Sequence, residues 1–355
     1  MEVRGKGTID KSRIQRILVR ATNWVGDAVM TLPALEAVRE NFPHSTITVL
    51  ARPWVAPLVE SHPAVDKVMV FNKSRGYPWD VKETLSMAGQ IRQQGFDMAV
   101  LFQNAFEAAF LAYLGGVKYR VGYDTQARGL LLSHAVKKNP EITGKHQVEY
   151  YLGILRAMGW EAESRDPVIH VAQRDMDSAR GLLASNGINE DDTLLGLSPG
   201  AIYGPAKRWP GERFAVIGDR AVRHWGAKIL IFGSRGEQDV CRGVARAMEE
   251  ESLDLSGKVS LGEALALVRQ CRFFVTNDSG LMHVAAGLNV PLVAVFGSTD
   301  AVATGPRGRY SRVVQHSVDC APCLKKECPD DFRCMLDIGA DEVWRTLDEL
   351  RQQVN

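Results

Sequence analysis

The chain has 355 residues, 45% hydrophobic and 24% charged, too long for one ordinary domain and rich enough in apolar residues for two separate cores. Its 43 Lys plus Arg against 42 Asp plus Glu leave a formal net charge of +1, which excludes a general attraction to nucleic acid and confines anion binding to local clusters. The opening MEVRGKGTIDKSR carries no apolar signal region, and no run approaches the roughly eighteen apolar residues of a membrane span, so the expectation is a cytoplasmic protein without a transmembrane segment.

Short β-branched runs alternate with helical stretches throughout. Residues 16–20 (RILVR) read as the first strand, and residues 27–41 as a helix with Met30, Ala34, Ala37 and Val38 on one face. Strands follow at 46–50 and 68–71. Val81, Leu85, Ala88 and Ile91 form a helical stripe before a strand at 98–102. A helix at 105–114, a strand at 119–122 and a helix at 146–159 complete the first series. The pattern restarts at 194–197 and continues with strands at 228–232, 273–277 and 291–296. Helices fall at 211–225, 237–248 and 261–270, and an amphipathic helix at 341–352 closes the chain.

Strands separated by helices imply parallel pairing through right-handed crossovers. The expected fold is α/β, with two Rossmann-like, doubly wound parallel-sheet domains facing across a cleft. The boundary falls in the polar stretch 167–175, giving domains 1–172 and 173–355, with helix 341–352 expected to return to the first domain. Ligands of such sheets sit beyond the carboxyl ends of strands, so the loops after strands matter most.

Five such loops carry chemistry-bearing residues. After the first strand, Gly26 permits a tight backbone and Asp27 opens a helix, either as a cap for the first-turn amides or as a general base for an acceptor hydroxyl. In the loop 198–210, Gly200, Gly204, Lys207, Arg208 and Trp209 lie close together. Lys207 suits a phosphate as a point charge; the alternative is a solvated Lys-Arg pair beside a structural Trp. In the third loop, Asp278, Ser279 and Gly280 precede His283. Amides at such a helix start seat a diphosphate, Asp278 orients a sugar hydroxyl or a neighbouring cation, and His283 alone reads as structural. Gly297, Ser298 and Thr299 approach the same phosphates, and Glu237 either binds a ribose diol or caps its helix. The dinucleotide fingerprint G-x-G-x-x-G is absent, which disfavours a nicotinamide dehydrogenase.

Four of the six cysteines, Cys320, Cys323, Cys328 and Cys334, crowd one loop, while Cys241 and Cys271 stand alone. The first two-residue gap suits a structural zinc or iron–sulfur site. The later gaps match no common metal module, and reduced thiols or labile disulfides are the alternatives. Lys325 and Lys326 favour thiolates there.

Together these residues resemble a known family. Gly26-Asp27 followed by Thr31-Leu32-Pro33, the run YGPAKRWP at 203–210, Asn277-Asp278-Ser279-Gly280 with His283, and Gly297-Ser298-Thr299-Asp300 are similar to the ADP-heptose:lipopolysaccharide heptosyltransferases. The similarity runs from about Arg16 to the C-terminal helix. The YGPAKRWP run and the cysteine loop are most similar to the heptosyltransferase II branch.

The resemblance implies a GT-B enzyme that inverts the anomeric centre and requires no cofactor for chemistry. The acceptor would bind the first domain and ADP-heptose the second. Asp27 and Lys207 are then the catalytic base and the diphosphate lysine. Gly26, Gly204, Glu237, Asp278, Ser279, Gly280, His283, Gly297, Ser298 and Thr299 lie on the donor side. Arg52, Arg75, Arg120 and Arg128 are candidates for the acidic groups of a lipid-linked lipopolysaccharide core acceptor at the inner membrane surface. The expected reaction adds the second inner-core heptose. Alternatives are an ADP-heptose transferase with another acceptor, a UDP-sugar epimerase of the same fold, and a nucleotide-sugar sensor without turnover.

Overall fold

The computed structural model describes residues 2–5, 7–73 and 79–354. The chain divides into two compact units, Met1–Arg165 and Asp166–Asn355. The division precedes the polar stretch because the chain beyond Arg165 already packs on the second unit. Asp166 pairs with Arg307 at 3.4 Å, and the Ile169 N–H donates to the Gly287 carbonyl at 2.9 Å.

The first unit holds seven strands among the described residues: β1 (Val3–Gly5), β2 (Arg16–Arg20), β3 (Thr46–Ala51), β4 (Lys67–Val70), β5 (Met98–Leu101), β6 (Tyr119–Tyr123) and β7 (His134–Val136). Their order is β1-β7-β6-β5-β2-β3-β4, and all pairs are parallel except β1 with β7. The second unit holds β8 (Leu194–Ser198), β9 (Lys228–Ile231), β10 (Ser252–Asp254), β11 (Phe273–Asn277), β12 (Leu292–Phe296) and β13 (Ser311–Gln315). Their order is β10-β9-β8-β11-β12-β13, and every pair is parallel.

In each sheet the chain winds outward one way and then reverses. The reversal lies between β2 and β5 in the first unit and between β8 and β11 in the second. At these points the neighbouring loops part on opposite faces, leaving a crevice at the carboxyl ends of the strands. Arg20 pairs in register with Leu101, and Ser198 with Thr276, so the loops beginning at residues 21, 102, 199 and 278 border the two crevices.

Helices cover both sheet faces, which is why β8, β11 and β12 are buried at every position. The second core gathers Leu197, Phe214, Ile231, Val275 and Val295 with Val343, Leu347 and Leu350 of the C-terminal helix Ala340–Val354. Sequence reasoning sends that helix back to the first domain; its apolar face is buried inside the second unit. The expected helix at 27–41 is two helices, Val25–Met30 and Leu32–Asn41, meeting at Thr31. Pro33 cannot donate a hydrogen bond to the preceding turn, so it starts a second helix comfortably and interrupts a continuous one. Among the described residues, no helix is long and apolar enough to cross a membrane.

Candidate functional site

At the second reversal, Asn277 closes β11 with its side chain fully buried. Its Oδ1 accepts the Trp209 N–H at 3.0 Å, and its Nδ2 donates to the Pro199 carbonyl at 2.7 Å. One amide therefore holds both ends of the loop between β8 and helix Gly211–Trp225. Trp209 is fixed further by Nε1 donating to the Ile338 carbonyl at 2.9 Å and by edge-on packing against Phe214. The Trp is structural, and its fixed backbone sets where Lys207, two residues earlier, projects.

Lys207 Nζ donates to Asp278 Oδ2 at 2.5 Å, and the Thr299 hydroxyl donates to the same oxygen at 2.6 Å. This node joins three of the loops singled out by sequence. The two side chains of the ion pair are 14% and 5% exposed. Of the two roles open to Asp278, the structure displays the orientation of a cation. One hydrogen of the ammonium is engaged by Asp278, which leaves two.

The four-cysteine loop forms a second layer behind this node. Lys326 O accepts the Ala206 N–H at 3.0 Å, and Leu324 O accepts the Tyr203 hydroxyl at 2.6 Å. Leu324 N–H in turn donates to the Ser298 carbonyl at 2.8 Å. A Cβ at Gly204 would lie 2.3 Å from the Lys326 oxygen, so the approach of these backbones requires glycine there. The Tyr203 ring has Lys207 Nζ 4.8 Å and Lys326 Nζ 5.9 Å from its centroid. The loop thus brings a second ammonium to the same aromatic ring.

All four thiols are free. Burial and the neighbouring Cys320, Cys328 and Cys323 raise the Cys334 thiol above its ordinary value. Among the described residues no group of three or more His, Cys, Asp or Glu is arranged to hold a metal ion. The expectation of a metal on Cys320, Cys323, Cys328 and Cys334 therefore finds no preformed donor set; backbone bonds to the neighbouring loops hold this segment.

The other donor-side candidates fall around the node in different ways. Ser279 is the N-cap of helix Gly280–Gly287: its Oγ accepts the Met282 N–H at 3.4 Å and lies 3.1 Å from Thr276 Oγ1. His283 is buried in the first turn and has its own partner. Gly297 lies where a Cβ would come 3.0 Å from Cys334 Sγ and from Met335, and the buried Ser298 Oγ has no hydrogen-bond partner among the described residues. Glu237 is a capping residue. Its Oε2 accepts from Ser234 N at 2.8 Å and Ser234 Oγ at 2.6 Å, and the side chain lies so close to Gly200 that a Cβ there would stand 2.2 Å from Oε1. Of the two roles open to Glu237, the structure displays the cap, made through Oε2.

At the first reversal, Gly26 and Asp27 lie in the first turn of helix Val25–Met30, both partly exposed. The N-cap is Trp24, without a side-chain cap bond, so Asp27 stands at the third helical position and is not the cap. Asp27 has a partner of its own. Its charge also reaches the buried Tyr151. Burial first, and then the Asp27 charge, raise the phenol well above its ordinary value.

The acceptor-side arginines divide sharply. Arg128 is fully buried: Nε donates to the Tyr123 carbonyl at 2.8 Å, Nη1 to the Gln103 carbonyl and Nη2 to Asn104 Oδ1 at 2.9 Å. Arg120 donates from Nε to the Leu131 carbonyl at 2.6 Å and from Nη1 to the Val117 carbonyl. Arg128 is an internal staple, which corrects its expected role in acceptor binding; Arg120 is only half-buried and spends these N–H groups on backbone carbonyls. Arg52 remains at the carboxyl end of β3, while Arg75 lies outside the described residues. Arg20, the last residue of β2, escapes sequence reasoning because its alternation within a strand marks it as ordinary; it is 1% exposed.

The model of glycosyltransferase family 9 (heptosyltransferase) matches residues 84–332. Lipooligosaccharide heptosyltransferase 2 of Haemophilus ducreyi is 29% identical, covering 94% of this chain and 99% of its own length. Lipopolysaccharide heptosyltransferase 2 of Salmonella typhimurium is 28% identical, covering 94% and 98%. Among solved structures, ADP-heptose lipopolysaccharide heptosyltransferase II of Escherichia coli superimposes with a TM-score of 0.82 at 25% identity, covering 96% of this chain and 99% of that one.

Proposed function

Since this chain belongs to glycosyltransferase family 9, the heptosyltransferases, we propose that it transfers a heptose from ADP-heptose to the inner core of lipopolysaccharide, as the second heptose. The names of its heptosyltransferase 2 relatives support the donor and the position of transfer. The observation that carries the reading is the node of Lys207, Asp278 and Thr299 at the reversal between β8 and β11.

In this reading the second unit holds the donor. As the bond from the anomeric carbon to the diphosphate breaks, negative charge gathers on the leaving oxygens. Lys207, held in place by Asp278, meets that charge with its two remaining hydrogens. The amides of Ser279 and Gly280 at the helix start add fixed partial positive charge. Electrostatic preorganisation of this kind is worth about 10²–10³-fold in rate per donor group. Lys326 is close enough to the Tyr203 ring to add to the local positive field.

The first unit receives the acceptor. Asp27 takes the proton of the attacking hydroxyl, and attack opposite the departing ADP inverts the centre in one displacement. Catalysis proceeds in the cytoplasm, with the lipid-linked acceptor met at the inner membrane surface. Arg52 is the candidate from this unit for the acidic groups of the acceptor.

The deciding experiment is incubation with ADP-heptose and defined truncated lipopolysaccharides, read by mass. One heptose added to the acceptor that already carries a single heptose supports the reading. Addition only to the heptose-free acceptor would make the enzyme a first-heptose transferase. No transfer with any acceptor overturns the proposal.

A further inference from the structure

At the carboxyl end of β2 lies a buried cation without an ion-pair partner among the described residues. Arg20 is 1% exposed. Its Nη1 donates to the carbonyls of Ala21 at 2.7 Å and Leu50 at 3.2 Å, and its Nη2 to Asn23 Oδ1 at 3.0 Å. All three acceptors are neutral. The third nitrogen, Nε, is buried with no partner among the described residues. Burial pushes the guanidinium down to about 10, and the charge of Arg52 pushes it the same way. Glu107, the acid that acts in the opposite sense, is engaged by Lys73 at 2.7 Å.

Arg52 repeats the pattern. Its guanidinium lies 5.0 Å from the Phe71 ring centroid and 5.8 Å from that of Trp54, and Nη1 donates to the Phe71 carbonyl at 3.3 Å. Among the described residues its Nε is buried without a partner, and so is the hydroxyl of Thr22, a residue 3% exposed. Trp54 Nε1 donates to the Asn23 carbonyl at 2.8 Å, which ties the segment after β3 to the segment after β2. Three buried polar atoms without a partner among the described residues thus sit on two segments joined by this bond, the first of which lies a few residues before Asp27.

A buried charge left uncompensated is destabilising, and a second like charge nearby makes it more so. Two guanidinium N–H groups, whose charges act on each other, and a hydroxyl on the joined segment are donors of the kind that a ligand with two or more anionic oxygens satisfies. We propose that Arg20, Thr22 and Arg52 form an anion site on the first unit that takes a phosphate or carboxylate carried by the acceptor. The assignment to the acceptor rests on the transferase reading above.

The test uses full-length protein labelled with ¹⁵N-arginine, following the side-chain Nε–H signals. Arg52→Gln and Arg20→Lys identify the two signals, and Thr22→Val removes the hydroxyl without touching a charge. Inorganic phosphate is titrated in one arm, acetate in another and ADP in a third. The expected result is a saturable shift of both signals with phosphate or acetate, loss of the Arg20 shift in Arg52→Gln, and a weakened shift in Thr22→Val. ADP at equal concentration should move these signals less than phosphate does. In turnover, Arg52→Gln should raise KM for the acceptor about tenfold or more and leave KM for ADP-heptose within about twofold. Signals that move with neither phosphate nor acetate, or that respond foremost to ADP, overturn the proposal. The phosphate and acetate titrations need no turnover, so they decide this site even if no acceptor is ever glycosylated.

Discussion

Asn277 and Trp209 stand 68 residues apart in sequence, and a 3.0 Å bond from the Trp209 N–H to the Asn277 side-chain oxygen joins them. The second half of the same amide holds the Pro199 carbonyl. The loop that presents Lys207 is therefore shaped by a residue from a different strand.

Asn277→Ala strands two buried backbone groups, each costing about 1–3 kcal/mol. The expected outcome is a clear fall in thermal stability together with a raised KM for ADP-heptose, because Lys207 loses its fixed starting point. Calorimetry and donor-titrated kinetics check both parts. A variant with lowered stability and wild-type donor kinetics would show that the loop holds its shape without the staple.

Lys207→Ala should reduce kcat/KM by about 10²–10³-fold. It also leaves the Asp278 carboxylate with the Thr299 hydroxyl and without its cation, so a loss of stability accompanies the loss of activity. Asp278→Asn keeps Lys207 and weakens its anchor, and the expected loss of transfer is smaller. Kinetics at low donor concentration for the pair separate direct charge stabilisation from positioning. Equal loss in the two variants would point to anchoring as the dominant role.

Asp27→Asn should lower kcat by about 10²–10⁴-fold while ADP still raises the unfolding temperature as in the wild type. The amide keeps the shape at the third helical position and removes the proton acceptor. Near-normal turnover in this variant would dismiss Asp27 as the base.

The thiols should separate by environment. Burial pushes Cys241 up to about 12, and it raises Cys271 far above the ordinary thiol range. Iodoacetamide near pH 8 should label the exposed Cys320 readily and leave Cys241 and Cys271 unmodified, as read by peptide mass. The sign of the linkage follows from the raised folded values. The stabilisation from keeping these thiols neutral is complete below about pH 9 and fades as pH climbs toward about 12. Rapid labelling of Cys241 in folded protein would contradict its burial.

Much of this was legible in advance, and the reasons are physical. Apolar runs such as residues 16–20 and 273–277 can only be covered strands in an alternating pattern, so two parallel sheets follow from the sequence. The short strands β1, β7, β10 and β13 escaped because three to five residues with mixed polarity carry no period. The break at Thr31 also escaped, because Met30, Ala34 and Val38 are buried on both sides of it and so read as one continuous stripe.

The chain by itself determined the two sheets, the loops at their strand ends and the residue types that suit an anion, since periodicity and local chemistry are properties of neighbouring residues. Only tertiary structure decided which of those side chains are available. Arg128 and Lys207 are both cations near strand ends, yet one is absorbed by backbone carbonyls and the other is held with hydrogens to spare. That difference depends on segments distant in sequence, as do the cysteine loop seated behind Tyr203 and the unpartnered Nε of Arg20. A hydrogen bond is satisfied by whatever folding brings within reach, and no local pattern records it.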